Sequence, residues 1–161
     1  MDFLAELAEA TFPRPAYDTH PEELPMNQPI KVTPVVLPPE APKYLWDTKE
    51  NCRHSIRVIC DEMGLTTELK NKVSQVLHCE SNWNPKCVHP NVVNGEITST
   101  DFGIAQINDY WHIGPHKDFP SSDFVLNNPE TCVRWMCKQA LAGNLKLWVC
   151  YSKGMYKSYA A

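Results

Sequence analysis

The run His78-Cys79-Glu80-Ser81-Asn82-Trp83-Asn84-Pro85 holds the side chain with the clearest chemical use, the carboxyl of Glu80. If the residues before it turn by about 100° each, as in a helix, Leu69, Val73, Val76 and Leu77 share one face and Glu80 falls within that apolar stripe. Burial disfavours the ionised form, so an acid so placed is expected to hold its proton near neutral pH, as a general acid must. The other candidate groups point elsewhere. His112 and His116 are four apart, but Gly114-Pro115 between them precludes a regular helix, and they read as loop histidines rather than metal ligands. There is no C-x-x-C pair or HExxH run to make a zinc site, no glycine-rich phosphate loop and no Ser/His/Asp nucleophile pattern, so no metal or cofactor is expected.

Several elements must position Glu80. Asp47 with Glu50 three residues on predicts a helix start. Cys52, Ile56, Ile59, Cys60 and Met63 then repeat with helical spacing until Gly64 ends the turn. Thr66 caps a second helix that ends in Glu80, and Pro85 and Pro90 take the chain out of helical geometry. Val92-Val93-Asn94-Gly95-Glu96-Ile97-Thr98 predicts a small hairpin, because Asn-Gly suits the tight turn between strand formers. From it the chain is expected to return into a short helix, with Gly103 allowing close approach, and then to run as an aromatic-rich loop over residues 109–126. Asn128-Pro129 starts a helix whose apolar face is Val133, Met136, Cys137, Ala140 and Leu141 and which Gly143 ends; Asn144 starts another carrying Leu145, Trp148 and Val149. The expected class is mainly α, with one small β-hairpin.

Composition divides the chain. Nine of the 14 prolines lie in residues 1–45, whereas all six glycines and all seven cysteines come later. We therefore expect a Pro-rich arm over 1–45, extended or disordered, with a short helix at residues 3–11 whose Leu4, Leu7 and Ala8 would dock on a larger assembly, and a folded domain over 46–161. The net charge of -4 also sits in the arm, while residues 46–161 carry 12 bases and 12 acids. No basic stripe points to nucleic acid, and no run approaches the roughly 18 apolar residues of a membrane span. Met1-Asp2 does not begin a secretory signal, yet the cysteine density suggests an oxidising destination and disulfides. The odd count leaves at least one thiol unpaired within the chain. Cys52 with Cys60, about 12 Å apart along one helix, and Cys132 with Cys137 are excluded as partners.

Three stretches in order resemble the lysozyme-like superfamily, most closely the soluble lytic transglycosylase-like domains of bacteria and phages. They are Glu80-Ser81-Asn82-Trp83-Asn84-Pro85, Gly103-Ile104-Ala105-Gln106-Ile107, and Cys150-Tyr151-Ser152-Lys153-Gly154, the last departing from the family pattern at its first and third positions. Ser99-Thr100-Asp101-Phe102-Gly103-Ile104-Ala105-Gln106-Ile107-Asn108 also resembles a stretch of chicken-type lysozymes whose aspartate is the second catalytic carboxylate.

The resemblance implies an α+β lysozyme-like fold whose hairpin lines a glycan cleft, and a peptidoglycan substrate cut between N-acetylmuramic acid and N-acetylglucosamine. Glu80 would be the acid. Ser81 and Tyr151 would position it or the N-acetyl group, Gln106 and Asn108 would contact sugar, and Tyr110 and Trp111 would stack on sugar rings or belong to the core. Asp101 is either the second carboxylate or a turn residue bonded to its own backbone. The first expectation is a lytic transglycosylase, in which Glu80 works alone and the muramoyl 6-hydroxyl closes a 1,6-anhydro product. It rests on a segment between Glu80 and Asp101 that is longer than in lysozymes, and on the Tyr151-x-x-Gly154 remnant. The alternatives are a lysozyme-type hydrolase using Glu80 and Asp101, and an inactive glycan-binding or structural virion module. Carriage in a phage particle or release by a holin would bring such a protein to the wall. Because Cys79 precedes the acid and Cys150 the family's cleft tyrosine, the resemblance also implies a Cys79–Cys150 disulfide.

Overall fold

A computed structural model describes residues 42–161, and the expected helix at 3–11 and the polyproline path lie outside the described residues. The unit containing the site runs from Glu40 to Ala161. It is helix-rich, with a small three-stranded antiparallel sheet. None of its helices is long and apolar enough to cross a membrane.

Helix α1 spans Lys49–Glu62, α2 Thr67–Ser81 and α5 Pro129–Leu141. Their inward faces meet through Ile56, Ile59, Val73, Val76, Leu77, Val133 and Met136, all fully buried. At about 1.5–3 kcal/mol for each buried side chain of this size, these contacts dominate the fold. The cap of α1 is Thr48 rather than Asp47. The Thr48 hydroxyl accepts from Asn51 N–H at 3.1 Å, and Asp47 supports it from outside by accepting from Thr48 N–H at 3.0 Å. Thr66 caps α2 as expected, accepting from Leu69 N–H at 3.3 Å.

Strands β1 (Val88–Val93) and β2 (Glu96–Phe102) form the expected hairpin, with Asn94 and Gly95 at φ 54° and 85° in its turn. Three expectations are corrected beyond it. Residues 103–108 form no helix; Gly103 (φ +73°) and Gln106 (φ +46°) turn the chain back so that β3, Ile107–Asn108, pairs with Phe102 and Asp101 of β2. The segment 109–126 is not all loop, since it carries α3, Asp109–His112, and α4, Ser122–Asn127, the latter capped by the Ser121 hydroxyl accepting from Phe124 N–H. The helix expected from Asn144 is broken into a 3-10 turn at Leu145–Leu147 and the short α6 at Val149–Ser152. Trp148 lies between them in extended backbone, its indole N–H donating to the Ala105 carbonyl at 2.8 Å.

The chain entering α1 is tied to the far end of that helix. Lys43 Nζ (2.5 Å), Tyr44 OH (2.6 Å) and Arg134 Nη2 (2.6 Å) all converge on the Glu62 carboxylate, which ties the entering chain and α5 to the end of α1. These partners lower the Glu62 carboxyl from its usual range to about 2, the hydrogen bond from Lys43 contributing most. A carboxyl depressed by folding stabilises the fold above its unfolded value, near 4.5, and loses that contribution as pH falls toward 2. Glu62→Gln should therefore unfold at lower denaturant concentration than wild type at pH 7, and the two midpoints should converge as the titration is repeated between pH 4.5 and 2.

All seven cysteines are thiols in this structure. The Cys60 and Cys137 sulfurs are 3.6 Å apart between α1 and α5. Cys79 and Cys150 are neighbours, as the implied pairing requires, but carry no bond. Burial, reinforced by the Glu80 carboxyl and Cys79, pushes the Cys150 thiol up, and burial pushes Cys132 up to about 12, so both are neutral packing groups.

Candidate active site

Glu80 lies in the last turn of α2, half-buried, and its Oε1 accepts from the Cys150 backbone N–H at 3.3 Å. The fixing of this turn starts just beyond it. Asn82 and Trp83 both adopt positive φ (55° and 59°), which costs energy in residues with a side chain. The buried Trp83 offsets that cost by donating its indole N–H to the Ser74 carbonyl (3.0 Å) and stacking on His78, ring centroids 3.9 Å apart. The Ser81 hydroxyl, also buried, donates to the Ile104 carbonyl at 2.7 Å with the Leu77 carbonyl at 3.0 Å. It therefore clamps the end of α2 to the turn at residues 103–106 and is committed to backbone.

Asp101 enters from the sheet. Side chains two apart on a strand share a face, so Ser99 and Asp101 point together, Asn108 stands opposite Asp101 across β2–β3, and Asn91 stands opposite Ser99 across β1–β2. Asn108 Nδ2 donates to Asp101 Oδ1 at 2.7 Å and Asn91 Nδ2 to Asp101 Oδ2 at 3.0 Å; both amides also donate to Ser99 Oγ, at 3.0 and 3.2 Å. The Asp101 carboxyl is thus held by two side-chain amides from neighbouring strands, and not by its own backbone as a turn residue would be.

Glu80 and Asp101 line one cleft of about 730 Å³. Its walls include Asn91, Ser99, Gln106 and Asn108 on the sheet side and Trp135, Leu147, Trp148 and Val149 on the helical side, with Trp111, His112 and Asp118 completing it. Glu80 is held there by the Cys150 backbone N–H, and Asp101 by the Asn91 and Asn108 amides. Gln106 lies nine-tenths buried with its Nε2 donating to the Gly103 carbonyl at 2.8 Å, so it braces the turn as well as lining the cleft.

The expected binding residues separate here. Gln106, Asn108 and Trp111 line the cleft; Ser81, Tyr110 and Tyr151 do not. Tyr151 stacks on Tyr156 with centroids 4.8 Å apart, and Tyr110 packs edge-on against Trp111 at 4.7 Å. Trp111 keeps 69% of its surface exposed, a platform open to a ligand. The readings from sequence missed Asn91, Ser99, Asp118, Trp135, Leu147, Trp148 and Val149 as cleft residues, and His112, read as a loop histidine, ends α3 and lines the cleft too. Strand alternation from Asp101 was enough to find Ser99, but the contribution of the other residues depends on tertiary packing.

Gly103 is the hinge that lets β3 return. Its φ is +73°, and a Cβ there would sit 3.0 Å from Val125 Cγ1. Gly103→Ala should therefore lose about 1–2 kcal/mol from the left-handed backbone alone, read as a lower denaturation midpoint. The chain matches no protein-family model and no curated protein sequence.

Proposed function

We propose that this domain is a lysozyme-like glycosidase that hydrolyses the β-1,4 bond between N-acetylmuramic acid and N-acetylglucosamine in peptidoglycan. Glu80 is the general acid and Asp101 the second carboxylate. The observation that carries this is the meeting of the two acids in one cleft, with Asp101 clamped by Asn91 and Asn108. The substrate class comes from the resemblance of the motifs at Glu80, Asp101 and Gly103.

In the reaction Glu80 gives its proton to the bridging oxygen as the bond to the anomeric carbon breaks, and positive charge develops on the sugar ring. Asp101 faces that charge with its orientation already fixed by two amide donors, so little reorganisation is needed when the charge appears. Water then completes the cleavage and its proton returns to Glu80. Trp111 offers a stacking surface for a neighbouring ring.

Hydrolysis is favoured over the lytic transglycosylase expectation by two observations. A lyase needs no second carboxylate, yet Asp101 is held in the cleft by a dedicated network. Tyr151, part of the remnant behind that expectation, stacks on Tyr156 and is not a cleft-lining residue. The test is zymography of the purified protein in gels containing cell walls. A cleared zone that Glu80→Gln does not produce is the expected result; no clearing by wild type, with walls from several bacterial classes, would leave an inactive module as the better account.

A further inference from the structure

The cleft holds a third acid and an imidazole that the hydrolysis above does not use. His112, at the end of α3, and Asp118 both line it, and His112 Nδ1 lies 2.8 Å from Asp118 Oδ2. Backbone bonds keep the two in register: Phe119 N–H donates to the His112 carbonyl at 2.9 Å, and Gly114 N–H to the Phe119 carbonyl at 2.8 Å. The imidazole is also edge-on to Trp135, centroids 5.0 Å apart, and Trp135 is edge-on to Trp148 and Phe119, both at 5.6 Å. The ring is therefore fixed in orientation from two sides.

With the neutral imidazole's Nδ1–H donated to Asp118, the lone pair sits on Nε2. Among the described residues Nε2 has no hydrogen-bond partner, and the side chain keeps 25% of its surface exposed. Neither a hydroxyl nor a thiol nucleophile is bonded to it. The one hydroxyl among the cleft-lining side chains, Ser99, instead accepts from Asn91 and Asn108. No Lys or Arg lines the cleft, so no cation there competes with the His112 imidazole for the Asp118 carboxylate. An oriented acceptor in the same cleft as an exposed tryptophan suits a ligand that brings flat apolar faces and hydroxyl donors together, as a sugar ring does.

We propose that His112, held by Asp118, is a substrate-positioning residue whose Nε2 accepts a hydrogen bond from a hydroxyl of a sugar ring stacked on Trp111. The assignment rests on the glycosidase reading of the same cleft and adds to it the residue that selects how a ring is seated.

Two substitutions separate hydrogen bonding from packing. His112→Phe keeps an aromatic edge against Trp135 but has no acceptor, whereas His112→Gln supplies an acceptor and gives up the ring. With soluble peptidoglycan fragments, Phe should raise KM about three- to tenfold, as expected for one neutral hydrogen bond, with kcat changed less than about twofold, and Gln should restore most of the loss. A Phe variant with wild-type KM, or a Gln variant no better than Phe, would overturn the assignment. The same pair in the Glu80→Gln background, titrated calorimetrically with an N-acetylglucosamine tetramer, reads binding without turnover and so separates this inference from the enzymatic reading. Weaker binding by Phe with recovery by Gln supports it whether or not wild type cleaves walls. Equal binding by all three proteins, or no binding by the Glu80→Gln parent, overturns it.

Discussion

Glu80→Gln is expected to leave the domain folded and to reduce wall cleavage by about 10²- to 10⁴-fold, the usual contribution of a positioned proton donor. The amide has nearly the volume of the acid, and its oxygen can still accept from the Cys150 N–H that Glu80 Oε1 now engages at 3.3 Å. The clamps around the turn are unchanged as well: Ser81 to the Ile104 carbonyl, and Trp83 to the Ser74 carbonyl. Only the transferable proton is lost. Thermal melting followed by circular dichroism checks the fold, and the rate of solubilisation of dyed cell walls checks the chemistry. A folded Gln variant that cleaves at the wild-type rate would remove Glu80 from the mechanism.

Asp101→Asn is expected to lower kcat at least about a hundredfold, corresponding to some 2.7–4 kcal/mol, by analogy with deleting one preorganised electrostatic partner of a transition state. The charge that faces the developing cation disappears. The substituted amide also meets two donors, Asn91 Nδ2 and Asn108 Nδ2, and can accept with only one of its two terminal atoms, so the carboxyl's fixed orientation is lost too. A transglycosylase would feel this change little, because its attacking hydroxyl is already part of the bound substrate and needs no second acid. Steady-state rates on soluble fragments decide between them: near-wild-type turnover by Asp101→Asn would favour the lyase.

Much of the scaffold was legible because it follows from local rules. The cap at Thr66, the stripe Leu69, Val73, Val76 and Leu77, the Asn94-Gly95 turn and the proline start of α5 all depend on residues close in sequence. What escaped was long-range. Gly103 and Gln106 can close a short helical turn or reverse a strand, and only the pairing of Ile107 with Phe102 decides which. Trp148 reads as one face of a helix until its indole bonds the Ala105 carbonyl 43 residues away and breaks that helix. The site divides along the same line. Glu80 is visible because it interrupts an apolar stripe, and Asp101 because its stretch resembles a catalytic one. Asn91 carries no mark in the sequence, since its use depends on strand register. Ser81 and Tyr151 were expected in the cleft from motif resemblance alone, and packing assigns their side chains to the Ile104 carbonyl and to Tyr156.

The measurement that bears most directly on the central claim is the chemistry of the product ends. Purified wild-type protein is incubated with cell-wall sacculi, and the released fragments are identified by mass spectrometry without prior reduction. Hydrolysis assisted by Glu80 and Asp101 predicts fragments that have gained one water and end in a reducing N-acetylmuramic acid. Fragments ending in 1,6-anhydro-N-acetylmuramic acid would contradict the two-carboxylate account and leave Glu80 acting alone.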